Sequence, residues 1–591
     1  MKRILCPLFA ASVFACDGST TDILEDTLVT SSTIEENITE NTTLSGTIGV
    51  SGLIDVRADL VIQPGTTLVF EEDSGLRARN GEGSIACNGT AADPITLRGG
   101  SSTPGFWEAL VFDSSDTANV MTYCNVRHGG SGSSFGFSGS QNASVIVTER
   151  GRLDISNSSV NESEGDGILF EDDADIVFAS NSFANNGESP VQISVNDAGA
   201  LDNASDYGTD NGDNFIELTE TLIEDLQTWS VTSVPYNVLE AVTIRLNGSE
   251  ALTIAAGATL LMSELAGLRV EAGSLSMIGT ETARITVRGE VENPGYWEMI
   301  RFDSNNPGNV IRFADVSHGG AGRDFGFTGN VESSVYVDDG GLLTLENSTI
   351  SATKDAGLTM EEDAEFMSFA NNTFNSNGGP GLRLYPAQLA SIDSASTYGG
   401  AVGSENGEAW IDIADDSTIV REISVDVSGT WPATDVPYRF VDQPRIETST
   451  TINVAAGVRI LMTPEAGIRV FGTLNLNGTS SEPIVITRES DTSGAWGGIV
   501  LDDSSVSAID FATIEGAGVD DFSFNGGALA NIIIRDNASL TIMNSVVQDA
   551  PVGIFMRDDA TITPDPPVSA GGNSISASSG GEAFDDDRPT P

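Results

Sequence analysis

The chain has 591 residues with 86 acidic and 27 basic side chains, and its formal net charge is −59. This charge excludes a nucleic-acid partner, because phosphate binding depends on clustered lysines and arginines. The length excludes a single compact core, which leaves several domains or a solenoid.

The first sixteen residues predict an export signal. Lys2 and Arg3 precede an apolar run, residues 4–14, that is too short to cross a bilayer. The run ends in VFAC (13–16), which resembles a bacterial lipobox, in which the cysteine becomes the lipidated first residue of the mature protein. We therefore expect lipidation at Cys16, a location at the outer membrane or cell surface, and membrane contact through this anchor alone. The phenylalanine departs from the motif, so cleavage that leaves the protein periplasmic or secreted is the alternative.

Two segments are predicted to lie outside the folded body. Residues 17–45 are rich in Ser, Thr, Asp and Glu without an amphipathic period, which predicts a flexible tether. Residues 576–591 have the same character and are predicted to be a disordered tail.

The body between them contains three copies of one unit: module 1 (46–227), module 2 (228–429) and module 3 (430–575). Matching phrases identify the copies: LVIQPGTTLVF (60–70), LTIAAGATLLM (252–262) and INVAAGVRILM (452–462), then GILFEDDA (167–174), GLTMEEDA (357–364) and GIFMRDDA (553–560). Repetition on this scale indicates a repeat architecture.

Each module consists of short runs rich in Val, Ile, Leu and Thr between clusters of Gly, Asn, Asp and Ser, with no helical period. Such strands suit a sandwich, a barrel or a solenoid. Asparagines recur at matching turn positions, Asn157, Asn347 and Asn544, where they can form amide ladders and adopt left-handed conformations. We therefore predict an all-β fold, a right-handed parallel β-helix of three tandem modules. Three separate jelly-roll sandwiches are the alternative.

The phrases LTIAAGATLLM, GTLNLNGTSSEPIVITR (472–488), AWGGIVLD (495–502) and FATIEGAG (511–518) resemble those of bacterial right-handed parallel β-helix repeat proteins. The resemblance covers nearly all of residues 46–575. It implies a fold shared with pectate lyases, polygalacturonases and phage tailspikes, and also with surface proteins of no assigned activity.

Cys87 and Cys124 occur only in module 1. The matching positions hold apolar residues: Met277 and Leu476 for the first, Ala314 and Ala512 for the second. Both cysteines are therefore expected to face the core. A disulfide after export and two unpaired buried thiols both fit this position.

Two histidines, His128 and His318, occupy matching HGGxGxxFGFxG loops, and the third copy has Glu515 there. One interpretation is a ligand-binding or metal loop. The other, which we favour, is a structural turn whose phenylalanine pairs, 135/137 and 325/327, cover the side of the coil. The histidines are expected to lie too far apart to share a metal.

Acidic pairs follow an apolar strand in each module: Asp172 and Asp173, Glu362 and Asp363, Asp558 and Asp559. They have three interpretations: turn chemistry, Ca²⁺ ligands, or the carboxylates of a glycosidase. Threefold repetition favours turns, because one active site does not need three copies. Apart from Ca²⁺, no cofactor is expected.

Three tryptophans, Trp107, Trp297 and Trp496, head matching strands after a loop. Exposed, they would form a sugar-stacking row. Buried, they would anchor each loop to the coil, which is the more common role.

The leading hypothesis is a non-enzymatic cell-surface lipoprotein, adhesin-like or scaffold-like, that presents an acidic solenoid to a polysaccharide or cell-surface partner. It depends on the threefold regularity and on the expected lack of a unique polar cluster. One alternative is a polysaccharide lyase or glycoside hydrolase of the pectate-lyase-like fold, for which Arg323 and Arg383 are the candidate bases. A carbohydrate-binding module is the other.

Overall fold

The computed structural model describes residues 27–29, 32–132, 141–322, 331–413, 422–464, 466–490, 496–519, 527–567, 570–578 and 581–587. Nearly all of its regular structure is β-strand. The first strands are β1 (Thr27–Val29), β2 (Thr33–Ile34), β3 (Thr42–Leu44), β4 (Thr47–Val50), β5 (Leu53–Val56), β6 (Asp59–Ile62), β7 (Thr67–Phe70), β8 (Gly75–Ala78), β9 (Ser84–Asn88), β10 (Ile95–Gly99), β11 (Leu110–Phe112), β12 (Val120–Thr122), β13 (Cys124–Arg127), β14 (Ala143–Val147), β15 (Arg152–Ser156), β16 (Ser159–Asn161), β17 (Asp166–Phe170), β18 (Asp175–Ala179), β19 (Ser182–Ala184), β20 (Val191–Ser194) and β21 (Ile216–Thr219).

The middle of the chain continues with β22 (Leu222–Ile223), β23 (Gln227–Trp229), β24 (Tyr236–Val238), β25 (Ala241–Arg245), β26 (Ala251–Ile254), β27 (Thr259–Met262), β28 (Gly267–Ala272), β29 (Ser274–Ile278), β30 (Ile285–Gly289), β31 (Ile300–Phe302), β32 (Val310–Arg312), β33 (Ala314–Ser317), β34 (Val335–Val337), β35 (Leu342–Glu346), β36 (Thr349–Ser351), β37 (Leu358–Met360), β38 (Glu365–Ala370), β39 (Thr373–Asn375), β40 (Leu382–Leu384) and β41 (Ile411–Ile413). Within the described ranges, two short 3-10 helices, Ala198–Ala200 and Pro386–Ser391, lie near the ends of modules 1 and 2.

The last part contains β42 (Glu422–Val425), β43 (Gly429–Trp431), β44 (Tyr438–Phe440), β45 (Gln443–Ile446), β46 (Thr451–Val454), β47 (Arg459–Met462), β48 (Ile468–Val470), β49 (Thr473–Asn477), β50 (Ile484–Arg488), β51 (Ile499–Leu501), β52 (Val506–Asp510), β53 (Ala512–Glu515), β54 (Ala530–Ile534), β55 (Ser539–Met543), β56 (Val546–Gln548), β57 (Val552–Arg557), β58 (Thr561–Thr563), β59 (Ser574–Ile575) and β60 (Glu582–Asp587).

These strands pair in parallel to form seven sheets along a right-handed β-helix, as the sequence predicts. Sheet A is β1-β3-β6-β9-β12-β15-β18 and sheet B is β2-β4-β7-β10-β13-β16-β19. Sheet C is β5-β8-β11-β14-β17-β20-β21-β24-β27-β30-β33-β36-β39. Sheet D is β22-β25-β28-β31-β34-β37-β40-β41-β44-β47-β50-β53-β56-β59. Sheets E, F and G are β23-β26-β29-β32-β35-β38, β42-β45-β48-β51-β54-β57-β60 and β43-β46-β49-β52-β55-β58.

One apolar core runs through all three modules, from Ile38 to Ile575. The core forms because inward and outward side chains alternate along each strand. In β6 and β7 the inward residues are fully buried and their neighbours are not. Each buried aliphatic side chain stabilises the coil by roughly 1.5–3 kcal/mol. The modules are therefore segments of one solenoid rather than separate domains.

Equivalent strands of the modules do not stack in the same sheet. Strand β7 belongs to sheet B, whereas its counterpart β27 belongs to sheet C and the next counterpart, β47, to sheet D. At the boundary between modules 1 and 2, which we call the first joint, the 3-10 helix Ala198–Ala200 follows β20 and contacts both β18 and β23. Each module is thus turned by one sheet relative to the module before it, and repeated surface features face different directions.

The three turn asparagines have left-handed φ angles, 50° for Asn157, 52° for Asn347 and 50° for Asn544, which confirms that part of the prediction. The amide ladder, however, is built by other asparagines. The side chain of Asn186 donates to Asn211 Oδ1 (3.0 Å), and that of Asn377 donates to Asn406 Oδ1 (3.1 Å). The sequence shows which asparagines suit turns. Which asparagine side chains bond to one another depends on which turns of successive coils lie directly above each other.

Both ends of the solenoid extend past the predicted boundaries. Strand β3 lies in the predicted tether, yet Leu44 is fully buried and the strand pairs with β6. Strand β60 lies in the predicted tail and pairs with β57. The tether and tail predictions are therefore wrong for these strands, because pairing with an existing sheet orders even a polar segment. Among the described residues, no helix is long and apolar enough to span a bilayer.

Candidate functional site

The outer face of sheet D carries seven stacked residues that we call the sheet D row. Each is the middle residue of a short strand segment between two buried apolar residues, so its side chain faces outward. Pairing places them in one register from β28 to β44. In order they are Arg269, Arg301, Tyr336, Thr359, Arg383, Asp412 and Arg439.

At three positions of the row, those of Arg301, Tyr336 and Thr359, the matching strands of the other modules have apolar outward residues. In module 1 they are Val111, Ile146 and Leu169, which form a small cluster of their own, and in module 3 they are Val500, Ile533 and Phe555. The polar middle of the row therefore occurs only in module 2, whereas its first residue, Arg269, has counterparts in Arg77 and Arg469. The expectation that no such cluster exists is wrong, because it came from comparing motifs rather than stacked positions.

The first half of the row is a buried ion-pair network. Arg301 and Tyr336 are each 6% exposed, and the guanidinium lies 5.2 Å from the centre of the tyrosine ring. Arg301 donates to Asp303 (2.6 Å) and pairs with Asp338, while Tyr336 donates its hydroxyl to Glu361 (2.8 Å). Burial, and then the Glu361 carboxylate, raise the pKa of Tyr336. We interpret this half as structural.

The second half, at the joint between modules 2 and 3, is more accessible. Arg383 donates to Asp355 (3.1 Å) and to Asp412 (3.4 Å). Arg439 donates to Asp412 (2.9 Å) on one side and to Glu489 (2.8 Å) on the other. Charges of opposite sign therefore alternate across five side chains.

An indole and a further carboxylate complete this group. The guanidinium of Arg439 lies 5.2 Å from the ring centre of Trp410, which is half-buried, and Glu408 precedes Trp410 in the chain. We call the group the joint cluster: Asp355, Arg383, Glu408, Trp410, Asp412, Arg439 and Glu489.

The charges of the joint cluster decide what chemistry it can perform. Burial alone would lower the pKa of Arg383, but the carboxylates of Asp355 and Asp412 outweigh it and hold this pKa above its ordinary value. Arg383 is thus unsuited to the role of base. Burial, followed by the negative charge of Asp412, raises the pKa of Glu408. This shift favours the protonated form of Glu408.

The joint between modules 1 and 2 has a related group without arginines. Gln192 and Asn237 stand where the joint between modules 2 and 3 has Arg383 and Arg439, and Glu217 stands where it has Asp412. Burial, and then the charges of Glu217 and Glu188, raise the pKa of Asp166 to about 8. The joint cluster therefore differs from the group at the first joint in its two arginines and resembles it in the carboxylate between them, Asp412 or Glu217.

The predicted acidic pairs all lie in turns. The turns close through hydrogen bonds from Ala174 N to Glu171 O (3.3 Å), Ala364 N to Glu361 O (3.2 Å) and Ala560 N to Arg557 O (3.4 Å). This repeated geometry supports the turn interpretation. Across the described ranges no group of three or more His, Cys, Asp or Glu is arranged to hold a metal ion.

The tryptophan row is buried. Trp107, Trp297 and Trp496 are 0% exposed, and their indole nitrogens donate to Arg127 O (2.8 Å), Ser317 O (2.7 Å) and Glu515 O (2.9 Å). The anchor interpretation is thus confirmed, and the sugar-stacking row is wrong.

The histidines directly follow separate strands, β13 and β33, and both have left-handed conformations, with φ of 67° for His128 and 69° for His318. His128 Nε2 is 2.8 Å from a carboxylate oxygen of Glu162, whereas His318 Nδ1 is 3.1 Å from Ser317 Oγ. Burial lowers the pKa of His318. Their different partners argue against one repeated ligand site. The predicted phenylalanine pairs and Arg323 lie outside the described residues.

Cys87 and Cys124 are fully buried and are not joined in the structure, with Cys124 Sγ 3.3 Å from Cys87 O. Cys16, the predicted lipidation site, lies outside the described residues.

Comparison with known proteins adds little to this geometry. No family model and no curated protein matches the chain. Among solved structures, a tailspike protein double mutant of E. coli bacteriophage HK620 aligns over 88% of this chain and 73% of its own, at 11% identity and a TM-score of 0.13. The fold therefore stands on the parallel sheets themselves, and the joint cluster is a candidate site on its chemistry alone.

Proposed function

We propose that this chain is an exported, non-enzymatic surface protein, an acidic scaffold of adhesin type that binds a polysaccharide or another cell-surface partner. The observation that carries the proposal is the single core running through three modules. A continuous solenoid holds its surfaces at fixed positions along one axis, and the turned modules present them in different directions. The signal-like N-terminus and Cys16 supply the expected anchor.

The joint cluster is our proposed contact site. A half-buried indole beside paired charged groups offers a face for stacking and planar groups for hydrogen bonds with hydroxyls, as sugar recognition requires. Its carboxylates outnumber its arginines, which disfavours a strongly anionic polymer. We therefore expect a neutral saccharide chain.

Binding to a panel of neutral, acidic and amino polysaccharides tests this proposal. Trp410→Ala should abolish the binding of the preferred polymer, whereas Phe215→Ala, at the matching position of module 1, should leave it unchanged. Equal loss in both variants would contradict the assignment of the site. Release of reducing or unsaturated ends would overturn the non-enzymatic proposal.

One observation favours a second candidate function, glycoside hydrolysis. Glu408 has a raised pKa close to the arginine-paired carboxylate of Asp412, and glycosidases use such a proton donor with a second, ionised carboxylate. A lyase is less compatible, because the arginines are held protonated. If reducing ends appear with the wild type, Glu408→Gln should abolish their release while retaining polymer binding.

A further inference from the structure

The pair Cys87 and Cys124 is the place where module 1 departs from the repeat inside the core. Cys87 is in β9 of sheet A, and Cys124 begins β13 of sheet B one coil later. Both are 0% exposed, and Cys124 Sγ lies 3.3 Å from the carbonyl oxygen of Cys87. Two thiols from successive coils thus meet at one corner of the solenoid.

The other modules show what this corner requires for packing. At the matching positions module 2 has Met277 and Ala314, and module 3 has Leu476 and Ala512, all buried. A larger apolar side chain beside an alanine therefore fills the corner without any thiol. The packing of this corner therefore does not require two cysteines.

We propose that Cys87 and Cys124 are joined by a disulfide in the exported protein, formed while the coils close and then enclosed by the core. The inference rests on the export part of the proposed function and is independent of ligand binding. It would link two successive coils across 37 residues of chain. Such a link restricts the unfolded chain and so stabilises this part of the solenoid.

The chemistry requires an oxidant, which we assign to the class of reactive disulfides, a protein dithiol oxidant or a small-molecule disulfide. One thiolate attacks a sulfur of the oxidant, and its leaving thiolate departs. The second thiolate then attacks the mixed disulfide, forming the S–S bond and releasing the other thiolate. Two thiols are oxidised, one disulfide is reduced, and two protons pass from the cysteines to the released thiolates.

Burial fixes when this reaction can occur. In the folded chain the neighbouring thiol of Cys124, and then burial, raise the pKa of Cys87, which suppresses the attacking thiolate. An oxidant also has no access to a side chain that is 0% exposed. The bond must therefore form before the coils around it have packed, and a chain that folds reduced should stay reduced.

The test uses the full chain, exported by a host with an oxidising envelope. The protein is unfolded in the presence of a maleimide without reductant, digested and mapped by mass spectrometry. We expect the peptides containing Cys87 and Cys124 as one linked species, lighter than the two thiol peptides by two hydrogen atoms. Labelling of both cysteines in exported protein would overturn the inference.

A second experiment, oxidative refolding, does not depend on export. Chain purified from a reducing cytosol should form the link when it is refolded from urea with oxidised glutathione, but not when the same reagent is added after folding. Absence of the link on refolding would overturn the inference, as would rapid linkage of the folded chain. If the chain is not exported but forms the disulfide on refolding, the proposed location is refuted and the disulfide inference is retained.

A matched variant separates the link from packing. Cys87→Met combined with Cys124→Ala recreates the pair of module 2 and should fold with the same circular dichroism. Reductant present during unfolding should lower the thermal midpoint of the exported wild type and leave that of the variant unchanged. Equal midpoints for the wild type with and without reductant would contradict a stabilising link.

Discussion

Asp197 and Gln388 occupy the same place in successive modules, each beneath the turn that carries the acidic pair. The Gln388 amide donates to Glu361 O (2.5 Å) and Ala364 O (2.9 Å). Asp197 accepts the N–H groups of Asp173 and Ala174 instead, and within the described structure its Oδ2 is buried without a hydrogen-bond partner. Burial, and then the charges of Asp172 and Asp173, raise the pKa of Asp197 to about 7.

This pair of positions predicts a pH-dependent stability in module 1. The folded-state pKa of Asp197 lies above its ordinary value of 3.8, so the folded chain holds the proton more tightly than the unfolded chain. The free energy of unfolding should therefore fall as pH rises from about 4 to about 7. Asp197→Gln should reduce that fall, leaving the part that is due to Asp166, and should raise stability at pH 8 by about 1 kcal/mol through the recovered hydrogen bonds.

Urea unfolding at several pH values measures this effect. The reciprocal variant, Gln388→Glu, should introduce a similar pH dependence in module 2. Parallel pH profiles for the wild type and Asp197→Gln would show that Asp197 does not titrate in this range.

Loss of Arg383 should destabilise the joint between modules 2 and 3. Asp412 is 6% exposed and accepts from both Arg383 and Arg439, so Arg383→Gln leaves a buried carboxylate with one arginine. We expect a cost of about 2–3 kcal/mol in unfolding free energy. Asp412→Asn should cost a similar amount.

A double-mutant cycle checks this coupling by chemical denaturation. The variant with both changes should lose less than the sum of the single losses, because neither charge is then left without its partner. Additive losses would indicate that the two side chains act independently.

Adding an arginine to the arginine-free group at the first joint should stabilise the protein, whereas removing one from the joint cluster should destabilise it. Gln192→Arg places a guanidinium beside Glu217, as Arg383 lies beside Asp412 in module 2. The raised pKa of Asp166, about 8, should then fall, because a positive charge favours the carboxylate.

Since a raised carboxyl pKa costs stability as pH rises, Gln192→Arg should be more stable than the wild type at pH 8 and nearly equal to it at pH 4. Thermal unfolding at both values measures the difference. Gln63→Arg, at an exposed position of the same module several coils away from this group, is the control. An equal gain in the control would mean that general charge compensation is responsible.

The buried tryptophans should matter for folding rather than binding. Trp297→Phe removes the hydrogen bond to Ser317 O and should cost about 1 kcal/mol. Trp297→Ala should cost about 3–5 kcal/mol by leaving a cavity. Neither change should alter polysaccharide affinity at temperatures where the chain is folded. Loss of binding in folded Trp297→Phe would contradict the anchor role.

The sequence by itself determined the local structure of this protein. Alternating apolar residues specify the strands, and Asn157 and its counterparts specify left-handed corners, because both depend on neighbouring residues only. The same holds for the buried tryptophans, whose preceding loops repeat with them. The three modules and the parallel β-helix follow from these repeated signals.

Only the tertiary structure decided which outward residues meet. Arg439 and Glu489 are 50 residues apart, and their contact depends on the length of every coil between them. The joints add a second factor, because each turns the next module by one sheet and carries equivalent residues to a different face. Coil length and joint rotation are properties of the packed solenoid, so the joint cluster and the meeting of Asp412 with its two arginines emerge only when the coils are stacked.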